Sequence, residues 1–322
     1  MMRTLLLLIL SIIVMLATVV SCQQPATGEF KWRWHDISSL SVLSDESILA
    51  GSRKGGMLVW NPITGESMLI PTENEGVFST VSSGLIAFAD NKKNLQILTK
   101  TDFSVKNSQI TSAFVGRIAF SDGYLVVDQS LHGPLMFRVE NDGNQLVPVT
   151  LLEIDKIDEA HNVAIHATSN VFASGVVFKS GLFNPDYGLS VWKTDGTLLW
   201  QKRGEKALFN GLEFSSDGKL IVTADKAGWL KIWRASDGKI LQEKKQSRGF
   251  TAARFLDDGK SIVTGDFSGR LVVWSVESLE PEIIIQAQQE GYMPVILMKD
   301  GRIVTGGSSG LIKIIDLTKP VQ

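Results

Sequence analysis

Apolar and polar residues alternate along most of this chain, in short runs that recur with a constant period. In the clearest copy, Phe209–Gly218 ends in Asp-Gly, Leu220–Asp225 is an apolar run, and Gly228–Trp233 leads from a glycine to a tryptophan. Alternation with a period of two residues is typical of a β-strand with one buried face. Asp-Gly between such runs favours a tight hairpin, because Gly adopts positive φ readily and Asp tolerates it. The copy therefore predicts successive antiparallel strands.

The same pattern occurs seven times. Two more clear copies and four weaker ones are recognisable, at Phe250–Trp274, Tyr292–Ile315, Ile37–Trp60, Phe78–Leu98, Phe114–Phe137 and His161–Trp192. The strand-ending residues Trp192, Trp233, Trp274 and Ile315 are spaced 41 residues apart, within the period of propeller blades. Seven such sheets stacked around an axis cover faces that one sheet leaves exposed. We predict an all-β fold, a seven-bladed β-propeller of four-stranded antiparallel blades.

Closure of the ring needs one more strand, because the last copy supplies only three. In segment 29–34, Phe30, Trp32 and Trp34 alternate with Lys31 and Arg33. This alternation is expected of an outer strand with one solvated face. We predict that strand 29–34 joins the last blade and closes the ring, so that residues 29–322 form one propeller.

The N-terminal segment has a different character. Arg3 precedes an almost wholly apolar run from Leu5 to Val20. A positive head, an apolar middle and small residues at the end are typical of an export signal. An uncleaved anchor helix is the alternative, because the run approaches the length that spans a bilayer.

The end of this segment, Val19-Val20-Ser21-Cys22, resembles the lipobox of bacterial lipoproteins. In that family lipid is attached to the cysteine and the signal is cut just before it. The resemblance implies a signal peptide at residues 1–21, lipidation of Cys22 and a polar tether over residues 22–28.

Composition narrows the possible functions. The chain of 322 residues carries 32 Lys and Arg against 34 Asp and Glu, a balance that does not favour nucleic acid. Cys22 is the only cysteine, which excludes an internal disulfide and a thiolate metal cluster. The four histidines fall in three different copies, and no nucleophile elbow or phosphate-binding loop occurs. The sequence therefore predicts no metal, no cofactor and no enzymatic activity.

The clear copies resemble the WD-repeat family, whose blades carry an Asp-Gly-type turn and a strand that ends in Trp-Asp. Blades of that family share a buried network of His, Ser or Thr, Asp and Trp. Here Trp and Thr remain but the Asp is replaced, with Trp233, Thr223 and Ala227 in one copy and Trp274, Thr264 and Ser268 in the next. The run Val191–Trp200 also resembles blades of quinoprotein-like propellers, such as the eight-bladed barrel-assembly accessory lipoproteins.

One candidate partner-binding set is acidic. Asp90, Asp128, Asp225 and Asp266 occur where the second strand of a copy ends, and a propeller places these turns on one rim. An acidic ring there would attract a cation or a basic segment of a partner. Alternatively, each carboxylate caps its own turn.

A second candidate set lies in the fourth copy, which carries about seven extra residues from Phe178 onward. Insertions in repeats map to loops on one face, often the binding face. Leu182, Phe183 and Tyr187 would form an apolar knob beside the acidic rim, and Phe178 belongs to the same candidate partner-binding set. Alternatively, the loop folds back onto the blade.

Aromatic residues form a third set. Phe78, Phe114, Phe209, Phe250 and Tyr292 begin innermost strands. They would either contact a ligand at the channel mouth or pack between blades.

These features predict a non-catalytic, monomeric protein-binding scaffold, anchored by lipid in a bacterial cell envelope and bound to another exported or envelope protein. Gln23 after the cysteine resembles the outer-membrane sorting pattern of enteric-type lipoproteins, which favours the periplasmic face of the outer membrane. One alternative is a hydrolase or lactonase with a carboxylate or metal site at the channel mouth. Another is an outer-membrane assembly accessory lipoprotein, which an eighth blade would favour.

Overall fold

Seven four-stranded antiparallel sheets form the protein, and the innermost strand of each contacts the innermost strands of both neighbours around a ring. The predicted seven-bladed β-propeller is confirmed. The computed structural model describes residues 28–33, 35–43, 46–72, 74, 78–82, 84–113, 115–129, 132–152, 154, 157–178 and 185–318.

Each blade is a meander from the innermost strand outward. Strand β1 (Glu29–Lys31) belongs to the last blade. Blade 1 contains β2 (Ile37–Val42), β3 (Ile48–Ser52), β4 (Met57–Trp60) and β5 (Ser67–Ile70), and blade 2 contains β6 (Phe78–Ser82), β7 (Leu85–Ala89), β8 (Asn94–Thr99) and β9 (Val105–Ile110). Blade 3 contains β10 (Ile118–Ser121), β11 (Tyr124–Gln129), β12 (His132–Glu140) and β13 (Gln145–Val149), and blade 4 contains β14 (Ile157–His166), β15 (Val171–Phe178), β16 (Asp186–Lys193) and β17 (Leu198–Glu205).

The remaining three blades hold the clearest sequence copies. Blade 5 contains β18 (Phe209–Phe214), β19 (Leu220–Asp225), β20 (Trp229–Arg234) and β21 (Ile240–Lys245), and blade 6 contains β22 (Phe250–Phe255), β23 (Ser261–Asp266), β24 (Arg270–Ser275) and β25 (Pro281–Gln286). Blade 7 contains β26 (Val295–Leu297), β27 (Ile303–Gly306), β28 (Leu311–Ile315) and β1. Short 3₁₀ turns occur at Asn141–Gly143 and Ala167–Ser169. Among the residues that the structure describes, no helix is long and apolar enough to cross a membrane.

The N-terminal strand closes the ring as predicted, although it is shorter than 29–34. Strand β1 pairs antiparallel with β28, with Glu29 opposite Lys313 and Lys31 opposite Leu311. The pairing ends at Trp32, whose N–H donates to Gly310 O at 2.9 Å and whose ring stacks on His35. Position 34 lies outside the described residues. The last blade therefore combines one strand from the N-terminal part of the chain with three from the C-terminal part, and this closes the ring.

Blades 5 and 6 bury their strand-ending tryptophans against the preceding blade. Trp233 and Trp274 are 1% and 4% exposed, and a buried indole N–H needs an acceptor. Each donates to a threonine of its own blade, Trp233 to Thr223 and Trp274 to Thr264, both at 2.8 Å. The Trp–Thr part of the WD-repeat network is therefore formed even though its Asp is replaced.

Candidate interaction face

The two ends of the propeller carry different turns. Because each blade is a meander, the turn between its second and third strands lies at the same end as the connection to the next blade. We call this end the upper rim. All four predicted aspartates lie there and are almost completely buried, with exposures of 3% for Asp90, 3% for Asp128, 1% for Asp225 and 0% for Asp266.

Three of these aspartates cap their own turns. In each, one carboxylate oxygen accepts the backbone N–H of the residue four positions on: Asn94 to Asp90 at 3.1 Å, Trp229 to Asp225 at 2.7 Å and Arg270 to Asp266 at 3.2 Å. Such bonds replace the strand ladder where the chain reverses. The geometry therefore favours a structural role over an exposed acidic ring.

The second oxygen distinguishes these three carboxylates. Asp266 Oδ2 accepts two bonds from the Arg270 guanidinium, and Asp90 Oδ2 accepts the side-chain amides of Asn74 and Asn94. Asp225 Oδ2 has no hydrogen-bond partner among the described residues. Burial raises the pKa of the Asp225 carboxyl in spite of the bond from Trp229.

Asp128 differs from the other three because it lies one residue earlier in its strand. Asp225 is the fourth residue after Ile221, which pairs with the strand-ending Trp233. Asp128 is only the third residue after Leu125, which pairs with Phe137. A shift of one residue turns a strand side chain to the opposite face. Asp128 therefore shares the upper rim with the other three aspartates, but its side chain points to the opposite face of the blade.

The Asp128 carboxylate faces the inner strands and binds three backbone N–H groups. Gly116 N and Arg117 N donate at 2.6 Å, and Asn162 N of the next blade donates at 2.8 Å. Burial nevertheless raises the pKa of Asp128 to about 6, because desolvation outweighs these bonds. Asp128 therefore joins blade 3 to blade 4.

Polar side chains continue these inter-blade contacts around the channel. Asn162 donates to Asn210 O at 2.9 Å, and Asn210 donates to Phe250 O at 2.7 Å. Thr251 in turn donates to Met293 O at 2.9 Å. These residues link blades 4 to 7 in order. The sequence analysis missed them, although each donor follows the first residue of an innermost-strand copy.

The fourth blade extends above the upper rim. In blades 1, 2, 5, 6 and 7 the ladder between the second and third strands ends three pairs after the pair that contains the strand-ending residue. In blade 4 it continues for three more pairs, to Phe178 opposite Asp186. The first inserted residues therefore lengthen the hairpin, and Leu182 and Phe183 lie outside the described residues.

The base of this hairpin is braced by a neighbouring strand. Arg203 forms an ion pair with Asp186 at 3.1 Å, and its guanidinium lies 4.1 Å from the centre of the Phe178 ring. Phe178, predicted as a partner contact, is only 1% exposed. Its side chain instead packs in the core between blades 3 and 4. Tyr187 is partly exposed on the extended part of the hairpin.

The central channel is lined by the innermost strands and encloses a cavity of about 580 Å³. Phe209 and Phe250, from the aromatic set, are 5% and 1% exposed and pack between blades. Within that set Phe114 and the Phe78 side chain are not described. Glu213 lines the cavity and pairs with Arg254 at 3.1 Å, and burial raises the pKa of Glu213.

Tyr292, also from the aromatic set, lines the channel. The guanidinium carbons of Arg53 and Arg117 lie 4.9 and 5.0 Å from the centre of its ring. Arg117 also donates to Tyr292 Oη. Blades 3 and 7 are therefore connected across the channel mouth.

Among the described residues, the carboxyl groups with raised pKa values do not share one site. Asp128, Asp225 and Glu213 have raised pKa values, but only Glu213 lines the channel. His161 pairs with Glu159 at 3.1 Å. Within the described ranges, no three His, Cys, Asp or Glu side chains form a group that could hold a metal ion.

The fold is that of a seven-bladed β-propeller. Residues 196–234 match the family model described as WD domain, G-beta repeat. No curated protein sequence matches the chain.

Solved structures share the fold. The chain is similar to the WD40 β-propeller domain of Doa1, with 15% identity, coverage of 90% of this chain and 95% of that chain, and a TM-score of 0.75. It is similar to the computationally designed Ika8 protein, with 16% identity, 88% and 96% coverage and a TM-score of 0.67. It is also similar to a chain of a mitotic checkpoint complex, with 15% identity, 92% and 94% coverage and a TM-score of 0.74.

Proposed function

We propose that this protein is a lipid-anchored, exported β-propeller that binds another protein of the bacterial cell envelope without catalysing a reaction. The observation that carries the proposal is the ladder of β15 and β16, which runs three residue pairs past the point where the blade 5 ladder ends. This hairpin gives one blade a raised surface on a rim where Asp90, Asp225 and Asp266 cap the turns of three other blades. Raised loops on one face of a repeat fold are common binding sites.

Rigidity at the base of the hairpin supports a role in recognition. Arg203 holds Asp186 and covers Phe178, so Tyr187 projects from an ordered strand pair. A preorganised contact loses less conformational entropy when it binds a partner. Tyr is also well suited to interfaces, because it combines a large apolar ring with a polar hydroxyl.

The proposed location rests on the resemblance to the lipobox at Cys22. Lipid on this residue would tether the propeller to a membrane through residues 22–28. Gln23 favours the periplasmic face of the outer membrane. The partner would then be another exported or envelope protein.

A photo-crosslinking amino acid at position 187 tests the binding face in living cells of the native host. The matched control is the same amino acid at position 195, an exposed residue in the turn at the opposite end of blade 4. We expect a discrete crosslinked partner from position 187 and none from position 195. Equal labelling at both positions, or none at either, would contradict the proposed face.

The anchor is tested separately with Cys22→Ser. Metabolic labelling with a fatty acid and membrane fractionation should both lose their signal in this variant. Retention of the lipid label or of tight membrane binding would contradict lipidation at Cys22. The uncleaved anchor helix predicts membrane binding without a lipid label.

A further inference from the structure

The outer edges of the blades differ in how they are protected from pairing with another strand. An outermost strand presents unpaired backbone N–H and C=O groups, and natural proteins protect it by short length, proline or charged side chains. Strand β1 has three residues, β5 has four and β13 contains Pro148 within its ladder. Basic residues lie on three others: Lys106 on β9, Lys202 and Arg203 on β17, and Lys244 and Lys245 on β21.

Strand β25 is protected only at its start, by Pro281 and Glu282, whereas the four residues that follow carry neither a proline nor a charge. It is six residues long, its proline is the first residue, and it contains no Lys or Arg. Three consecutive isoleucines follow Glu282, of which Ile283 is 36% and Ile284 is 59% exposed. Consecutive β-branched residues favour the extended conformation that strand pairing requires. Strand β25 is therefore the outer edge most suited to accept another strand.

The open edge of β25 presents backbone groups at known positions. Ala287 N donates to Gly269 O at 3.0 Å, towards the side of the neighbouring strand β24. Successive residues of a strand direct their backbone groups to opposite sides. The N–H and C=O groups of Ile284 and Gln286 therefore point away from β24, to the open edge. No described strand pairs with β25 on that side.

We propose that β25 pairs antiparallel with β25 of a second copy of this chain, about a two-fold axis at Ile284. In this register Ile284 lies opposite Ile284 of the second copy, and Ile283 lies opposite its Ile285. Glu282 lies opposite Gln286 of the second copy, so that no like charges face each other. The outward N–H and C=O groups of Ile284 and Gln286 form hydrogen bonds with the second copy. The two sixth blades then form one eight-stranded sheet. The same patch serves both copies, as an isologous interface requires.

The dimer is reversible, because the contact is small. One pair of six-residue strands buries much less than the roughly 1,200–2,000 Å² of a standard stable interface. The fraction of dimer therefore depends on concentration. This modifies the monomer that the sequence predicts, and it depends neither on the anchor nor on the partner of blade 4.

Single introduced thiols test the register. The full-length chain with Cys22→Ser has no other cysteine, so Ile284→Cys can be joined to its counterpart by a short bis-maleimide in detergent solution. The matched control is Ile110→Cys on β9, because Ile110 is 80% exposed on an outer strand that carries a lysine. We expect several-fold more covalent dimer from position 284 than from position 110. Adding Ile283→Lys to Ile284→Cys should reduce the yield to that of the control.

Sedimentation equilibrium of the unmodified full-length chain gives an independent readout. Its average mass should rise with protein concentration, Ile284→Lys should remain a monomer, and Ile110→Lys should behave like the parent. Equal crosslinking at positions 284 and 110 would overturn the proposal. A parent chain whose mass does not rise with concentration would overturn it too. Mass spectrometry that finds a different protein crosslinked at position 284 would overturn the second copy as the occupant.

Discussion

Blades 4 and 5 are built from the same repeat, yet only one extends above the upper rim. In blade 5 the ladder between β19 and β20 ends with Ala224 opposite Leu230, and Asp225 then caps the turn. In blade 4 the residue at the place of Asp225 is Val176, and the ladder continues through it. An aspartate at this place offers the turn a hydrogen-bond acceptor, whereas a valine favours further strand. The blade with an aspartate at the strand end therefore has a tight turn, and the blade with a valine there has a raised hairpin.

This difference distinguishes the turns with a structural role from the blade 4 hairpin, which is the candidate recognition element. Asp90, Asp225 and Asp266 each direct a buried carboxylate to their own turn, so these carboxylates do not form an exposed acidic surface. Blade 4 lacks such a cap and instead exposes part of Tyr187. The insertion is therefore a stronger candidate for binding than the acidic ring.

The largest expected effect is common to both blades, because both bury a strand-ending tryptophan. Trp192 and Trp233 are 0% and 1% exposed, and truncation of either leaves a cavity. We expect Trp192→Ala and Trp233→Ala each to reduce the free energy of unfolding by about 3–5 kcal/mol. Denaturant titration followed by circular dichroism measures this change. A much smaller loss in blade 4 would mean that the raised blade packs less tightly than its burial indicates.

The second prediction concerns the pH dependence of Asp128, the aspartate that lies one residue out of register. Its folded pKa of about 6 exceeds the ordinary aspartate pKa of 3.8, so the folded state binds the proton more tightly than the unfolded state. The stability that this proton contributes is present at low pH and is lost as pH rises through the folded pKa. The free energy of unfolding should therefore fall by about 3 kcal/mol between pH 4 and 7, because the folded pKa lies about two pH units above the unfolded one. Urea titrations of the parent should show this fall, and Asp128→Asn should remove it.

Asp195→Asn is the control for this measurement. The Asp195 carboxylate is fully exposed, and the hydrogen bond from Thr197 N lowers its pKa. This substitution should therefore leave the fall in stability between pH 4 and 7 in place. If Asp128→Asn leaves the same fall in place, the buried carboxylate is not its source.

The ring and its closure could be predicted from the sequence because they depend on periodicity. The spacing of 41 residues between Trp192, Trp233 and Trp274 gives the number of blades once weaker copies are counted. The alternation at Phe30 and Trp32 identifies the closing strand. These features are visible in the sequence because each blade needs an apolar face at regular positions.

The details of the rim could not be predicted in the same way. Asp128 resembles the other aspartates in sequence, but β11 has an irregular register between Val127 and Gln129, which the sequence does not reveal. The burial of Phe178 follows from continuation of the β15 ladder into the insertion. The contacts of Asn162 and Asn210 join different blades, so they become visible only when the ring is assembled.

The smallest expected effect tests the comparison between blades 4 and 5 directly. Asp225→Val places the blade 4 residue type in blade 5 and removes the acceptor for Trp229 N. We expect a loss of about 1–2 kcal/mol in the free energy of unfolding, the usual cost of losing a capping hydrogen bond. The Trp229 amide should also exchange with solvent faster, as hydrogen-exchange mass spectrometry would measure.

Asp225→Asn is the matched variant, because its side-chain oxygen can still accept the bond from Trp229. It should reduce the free energy of unfolding by less than Asp225→Val does. Burial also favours the asparagine, because a neutral amide avoids a desolvated charge. Asp225 Oδ2, which the amide nitrogen would replace, lacks a hydrogen-bond partner among the described residues. Equal losses for Val and Asn would mean that the charge, rather than the acceptor, stabilises the turn. If neither variant changes stability or exchange, the cap is not what ends the blade 5 ladder. The inserted residues of blade 4 alone would then account for its raised hairpin.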